Sequence, residues 1–246
     1  MRMLSFFLLT LGLLACGPKP EKTPPIHSAQ DLIQQSIAYH DADGHWQEFT
    51  SAIEINSVIT RRGGSKDERT TGLSFDNQQG VFQIRSSTNG IDFTAEANPD
   101  SCFINFARVL SGEDSAQMKS VLGCAGVSRY KDYYTYLIGL PMKLSDPEAI
   151  VQDSIMERSY GGKTYDVVKV NYEPLDTEPA WYFYFDQESH AFALCKFTSK
   201  DDENKGGEYI LYNQETVVDG MKLFKQIVWL YNPEQDTLAV ENLRFE

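Results

Sequence analysis

From residue 29 onward the apolar positions keep to one of two periods, and the switch between them marks the elements. AQDLIQQSIAYH, residues 29–40, carries Leu32, Ile33, Ile37 and, less neatly, Tyr39 at helical spacing, and predicts an amphipathic first helix. DADGHW follows as a turn, with Asp41, Asp43 and Gly44 supplying turn chemistry. The period then drops to two: Ile53, Ile55 and Ile59 share one face, then Leu73 and Phe75, Phe82 and Ile84, Ile91 and Phe93. RRGGSKDERTTG, DNQQG and TNG separate these runs as hairpin connections, so four short antiparallel strands are expected. A helical insert of roughly residues 113–139 interrupts the series. Its centre is SRYKDYYTYLIGLPMKL, residues 128–144, which places Tyr130, Tyr133, Tyr134, Leu137 and Ile138 on one stripe. Ser128 is the expected cap, and Gly139 followed by Pro141 the expected end.

Strands resume after the insert. SIMERSY and TYDVVKVNY flank Gly161-Gly162, and EYILYNQETVV and MKLFKQIVWLYN flank Asp219-Gly220; both dipeptides are strong two-residue hairpin signals. WYFYFD (181–186), AFALCKFT and TLAVENLRF complete a count of about ten or eleven strands. Consecutive hairpins favour one antiparallel sheet, and a sheet of that size curls. The fold class expected is α+β: a strongly curved antiparallel half-barrel over residues 29–246, with the N-terminal helix and the helical insert packed on its concave face. WYFYF and IVWLY are apolar on both faces, so the other face should carry exposed aromatics or a second layer.

The first residues change the picture of where the domain works. Arg2 precedes an apolar run from Met3 to Ala15, too short to span a bilayer and of signal-peptide length. It ends in LLAC, residues 13–16, which resembles the lipobox of bacterial lipoproteins. That resemblance implies a signal peptide over 1–15, a lipidated Cys16, and a Pro-rich tether over 16–28. Acyl chains, at about 0.8 kcal/mol per buried CH₂, would then hold the protein to a membrane. Gly17 rather than Asp after Cys16 implies the outer membrane if the enterobacterial sorting pattern applies, and the expected location is its periplasmic face. Such a compartment permits disulfides. Cys102 and Cys124 flank the segment leading into the Tyr-rich helix and form a possible pair, while Cys195 reads as a buried free thiol; three cysteines leave three pairings open.

Composition mainly excludes. A formal charge of −13 leaves no basic face for nucleic acid or for an anionic membrane surface. No Gly-x-Ser-x-Gly elbow, P-loop or HExxH motif occurs, and no CxxC. Asp41-x-Asp43-Gly44 is faintly like a calcium loop but lacks its closing Glu, so a helix-ending turn is the reading preferred. Asp201, Asp202 and Glu203 read as a solvated hairpin tip. No cofactor or metal is implied, and catalysis is unsupported.

The order of elements, with the lipobox, resembles the LolA/LolB-like family of periplasmic carriers. More narrowly, YHDADGHW, YYTYLIGLPMKL, WYFYFD and GGEYILY resemble an uncharacterised family of Bacteroidetes lipoproteins carrying a domain of unknown function. The resemblance implies a half-barrel that binds acyl chains in an apolar cavity. The side chains expected to line it are Tyr130, Tyr133, Tyr134, Leu137, Leu140, Met142, Trp181, Phe183, Phe185 and Trp229. Expected partners are a hydrophobic ligand or a lipidated protein, and the membrane through the anchor, on a monomeric domain. Two other classes stay open: an envelope interaction protein with no small ligand, and an enzyme acting on lipid or glycan.

Overall fold

The computed structural model describes residues 26–61, 63–88, 90–119, 123–172, 179–198, 207–231 and 236–246. The expected signal peptide, Cys16 and the acidic tip at 201–203 lie outside the described residues.

Ser28 caps helix α1 (Ala29–His40) by accepting from the Asp31 amide at 3.1 Å, and the Asp31 carboxylate returns a bond to the His27 amide at 3.0 Å. Leu32 and Ile33 are fully buried. The chain then turns through Asp41, whose two carboxylate oxygens accept the amides of His45 and Trp46 at 2.8 and 2.9 Å. That carboxylate is therefore occupied in holding the first two amides of a 3-10 turn, His45–Glu48. This is the physical content of the turn read from the sequence.

Strands β1 (Thr50–Thr60), β2 (Lys66–Asp76), β3 (Val81–Thr88), β4 (Ile91–Ala97) and β5 (Cys102–Phe106) follow as a meander. After helices α2 (Gly112–Lys119) and α3 (Cys124–Gly139) and a 3-10 turn (Met142–Ser145) comes a second meander. It comprises β6 (Ile150–Tyr160), β7 (Lys163–Asn171), β8 (Ala180–Asp186), β9 (Phe192–Thr198), β10 (Glu208–Val218), β11 (Met221–Leu230) and β12 (Thr237–Phe245). Both predicted tight hairpins are present. Gly161 and Gly162, and Asp219 and Gly220, all have positive φ, the backbone that two-residue turns between right-twisted strands require.

The described strands form one antiparallel sheet in the order β5-β4-β3-β2-β1-β12-β11-β10-β9-β8-β7-β6. The two meanders are sewn together by the first and last strands, β1 and β12, in the middle of the sheet. The two outer strands, β5 and β6, are neighbours in sequence. The chain leaves one edge of the open half-barrel and reaches the other by way of α2 and α3, which carries α3 over the concave face.

Two sequence expectations are corrected. There are five strands before the insert, not four: CFINF forms β5, pairing Phe93 with Phe106 and Ala97 with Cys102. Its short alternation, Cys102, Ile104 and Phe106 against Phe103 and Asn105, is blurred by the apolar Phe103 on the second face. Helix α3 begins one turn before Ser128, with Gly123 at its cap. The cause is burial: Val127 is fully buried, extending the apolar stripe toward the N-terminus, and Cys124 is joined to Cys102 of β5.

The outer face of the second meander is also unlike the expectation of exposed aromatics or a second layer. Tyr182, Tyr184 and Tyr209 are buried there with Val167, Leu194 and Leu230. Long cationic side chains roof them: Arg158 and Lys169 stand 5.4 and 5.8 Å from the Tyr182 ring, and Lys196 5.5 Å from Tyr209.

Candidate functional site

Every strand contributes apolar side chains to the concave face, and α3 lies on them. In the first meander the rings of Phe49, Phe75, Phe82 and Tyr134 form a continuous series, with centroids 6.2, 5.4 and 6.5 Å apart. Tyr130 extends it, 6.4 Å from Phe93. In the second meander Trp181, Phe183, Phe192, Tyr212 and Phe224 make a matching cluster. Helix α3 wedges between the two, and its C-terminal end is held closely. Tyr212 donates its hydroxyl to the Leu137 carbonyl at 3.2 Å, and Tyr136 bonds to the Tyr172 hydroxyl. At the other flank Lys131 reaches the Gly80 carbonyl at 2.7 Å.

The ten side chains expected to line a cavity lie at different depths. Tyr134, Leu137, Leu140, Met142, Phe183 and Phe185 are buried in the main core, while Tyr130 and Trp181 are half-buried at its margin. Trp229 is half-buried, and Tyr133 is 42% exposed on the shoulder of α3, with its ring stacked 6.3 Å from Trp229. Burial pushes the Tyr134 hydroxyl up to about 12, so it works only as a neutral hydrogen-bonding group. Cys195 is free and fully buried, and the same desolvation drives its thiol upward, leaving an unreactive packing group.

Next to the Tyr133–Trp229 pair the inner face turns polar, a feature the sequence reading missed. Ser57 of β1 pairs laterally with Arg69 of β2 on one side and with Glu241 of β12 on the other. Glu241 is 4% exposed; its carboxylate accepts the Ser57 hydroxyl at 3.3 Å and the Trp229 indole N–H at 3.2 Å. Desolvation raises its pKa, against the lowering effect of those two donors and of Arg69. Thr71 and Ser86 exchange a hydroxyl bond of 2.9 Å in the next row. The signal was present in the sequence. Alternation puts Glu241 on the face of Ala239 and Leu243, and Arg69 on the face of Leu73 and Phe75.

Chemically the arrangement offers a large apolar surface, one covering helix and a small polar border, without a nucleophile–base pair among the side chains described above. No described helix is long and apolar enough to cross a membrane.

The architecture has solved counterparts. A LolA superfamily protein from Nitrosomonas europaea superimposes with a TM-score of 0.51 at 8% identity, over 90% of this chain and 92% of that one. A DUF1329 family protein from Desulfovibrio piger gives 0.47 at 12% identity, covering 87% and 90%. A domain named for outer membrane lipoprotein sorting, from Vibrio parahaemolyticus, gives 0.46 at 11%, covering 88% and 91%. At these identities the likeness is one of fold, and the fold is the LolA-like half-barrel. Curated protein sequences return no match. Residues 4–244 match the family described as "Family of unknown function (DUF6503)", and the chain belongs to that family.

Proposed function

We propose that this chain is a lipid-anchored, periplasm-facing outer-membrane protein of a Bacteroidetes envelope that holds a hydrophobic ligand, without catalysis, between the half-barrel and α3. The ligand class is an acyl chain, a lipid, or the lipidated end of another protein. One observation carries the reading: the concave face of a twelve-stranded sheet is apolar across both meanders and is covered by α3 rather than by a second sheet. Apolar surface of that extent is a binding surface whenever its cover moves. The LolA-like fold supports it. The ten expected residues are the proposed lining, and Cys16 the proposed attachment point.

The test is native mass spectrometry on residues 17–246 made in a periplasm and purified without detergent. A retained mass of lipid size, lost on organic extraction, is the expected result. A clean apoprotein mass that persists after addition of fatty acid and phospholipid would sink the proposal. The reading would then pass to an envelope interaction protein, which has its own support: Phe103 on the free edge strand β5 is 64% exposed and nearby Val109 93%.

A further inference from the structure

The inner face of β2, β1 and β12 changes polarity row by row. The outermost of the rows considered is Arg69, Ser57 and Glu241; the next is Thr71, Ile55 and Leu243; the third is Leu73, Ile53 and Phe245. Strand β3 follows the same order, Ser86 then Ile84 then Phe82, the last two fully packed in the core. A surface graded in this way over successive pairs of residues matches a molecule with a polar head and a hydrocarbon chain.

Arg69 sets the sign of the head. It is half-buried, and its Nε is shut off from water with no hydrogen-bond partner. The carboxylate of its own row, Glu241, is already committed to Ser57 and Trp229 and forms no ion pair with it among the described residues. Arg69 stands in the row of Ser57 and Glu241, and its positive charge is felt by Tyr133, Tyr134 and Glu241. A guanidinium with an unsatisfied buried donor is costly to keep, and planar oxyanions are what its geometry pairs with. Glu241, the carboxylate of the same row, spends both of its oxygens on Ser57 and Trp229, and its burial raises its pKa.

We propose that Arg69, beside the Tyr133–Trp229 stack, takes the oxyanion head of an amphiphile, a carboxylate or a phosphate, whose chain lies along the apolar rows under α3. This assignment rests on the hydrophobic-ligand reading above and names its class.

The test uses the full chain in nanodiscs of neutral lipid, offered equal amounts of palmitate, palmitoyl lysophosphatidic acid and monopalmitoylglycerol, with bound ligand read by native mass spectrometry. Wild type should retain each acid over the neutral lipid by at least about tenfold, the worth of a charge-assisted bond. Arg69→Gln should bring that ratio close to one while leaving monopalmitoylglycerol uptake as it was. Arg69→Lys, which keeps the charge and loses the planar fork, should fall in between, and it decides the matter if Arg69→Gln does not fold. A lysine variant with the wild-type ratio, or a glutamine variant that loses all three ligands alike, would show Arg69 to be structural and overturn the proposal. Equal uptake of all three by wild type would overturn it and leave the hydrophobic-ligand reading standing; uptake of none would remove both. Inorganic phosphate and acetate should not displace palmitate. Phosphate bound in an Arg69-dependent way with no chain retained would mean a free anion is the ligand, and would overturn the amphiphile.

Discussion

At the scale of single residues, His40 and Glu241 carry opposite pH dependences. His40 is buried at the end of α1; its Nδ1–H donates to the Lys222 carbonyl at 2.8 Å and its Nε2 accepts the Phe192 amide at 3.1 Å. Both bonds need the neutral ring in one tautomer, and desolvation lowers its pKa to about 4. The unfolded chain takes up that proton near pH 6.5, the folded chain only near 4, so between these values unfolding binds a proton. Stability is fully present above pH 6.5 and falls as the pH drops toward 4, by about 3 kcal/mol at the lower end. Urea unfolding at a series of pH values should show this slope, and His40→Gln, less stable at pH 7, should lack it. Glu241 runs the other way. Its folded pKa is raised, so the folded state holds the proton more tightly, and stability is lost as the pH rises from 4.5 through the folded value. Glu241→Gln should therefore be at least as stable as wild type at pH 7, to within about 1 kcal/mol for a rearranged hydrogen bond, and flat across that window.

At the scale of elements, the seating of α3 depends on a residue without a side chain. Gly139 ends the helix against the indole of Trp46, and a Cβ there would run into Trp46 Cζ2 and Lys143 Cγ. Trp46 is itself 4% exposed and stacked 5.2 Å from Phe49, with its amide bound by Asp41, so it has nowhere to retreat. Gly139→Ala should cost about 1–3 kcal/mol, as overpacking of a tight core does, despite the better helix propensity of alanine. Thermal unfolding measures it. If the cover of the half-barrel is what the mutation loosens, the same variant should bind an environment-sensitive apolar dye that wild type excludes. The stripe along α3 was legible in the sequence at Tyr134, Leu137 and Ile138. Spacing alone puts Tyr133 with them, yet it lies on the shoulder of the helix, 42% exposed and stacked on Trp229, a partner from a distant strand.

At the scale of the whole molecule, the seam between β1 and β12 decides stability. The terminal strand stands in the centre of the sheet, flanked by β1 and β11, rather than at an edge. A chain ending at Tyr231 would expose two interior strand edges and lose Glu241, Leu243 and Phe245 from the inner face. It should fail to fold, whereas an edge strand removed from a sheet this size would be tolerated far better; loss of the near-ultraviolet circular dichroism of the aromatic clusters is the measurement. Pairing residues at opposite ends of the chain also delays the formation of the seam, since loop closure must precede it.

The local architecture was determined by the sequence itself. Period-two alternation, the Gly161-Gly162 and Asp219-Gly220 turns, the first helix and the aromatic stripe all depend on residues a few positions apart, and propensity, burial and turn geometry act at that range. The buried stripe of Tyr134, Leu137 and Ile138 follows from the same patterns. Tertiary structure alone decided which strands meet. It made CFINF an edge strand, sewed the first strand to the last, and drew Arg69, Ser57 and Glu241 into one row although Ser57 and Glu241 are 184 positions apart. Cross-strand neighbours are set by register between distant segments, and no local period encodes that; so the charged face positions were visible in the sequence, and their meeting was not.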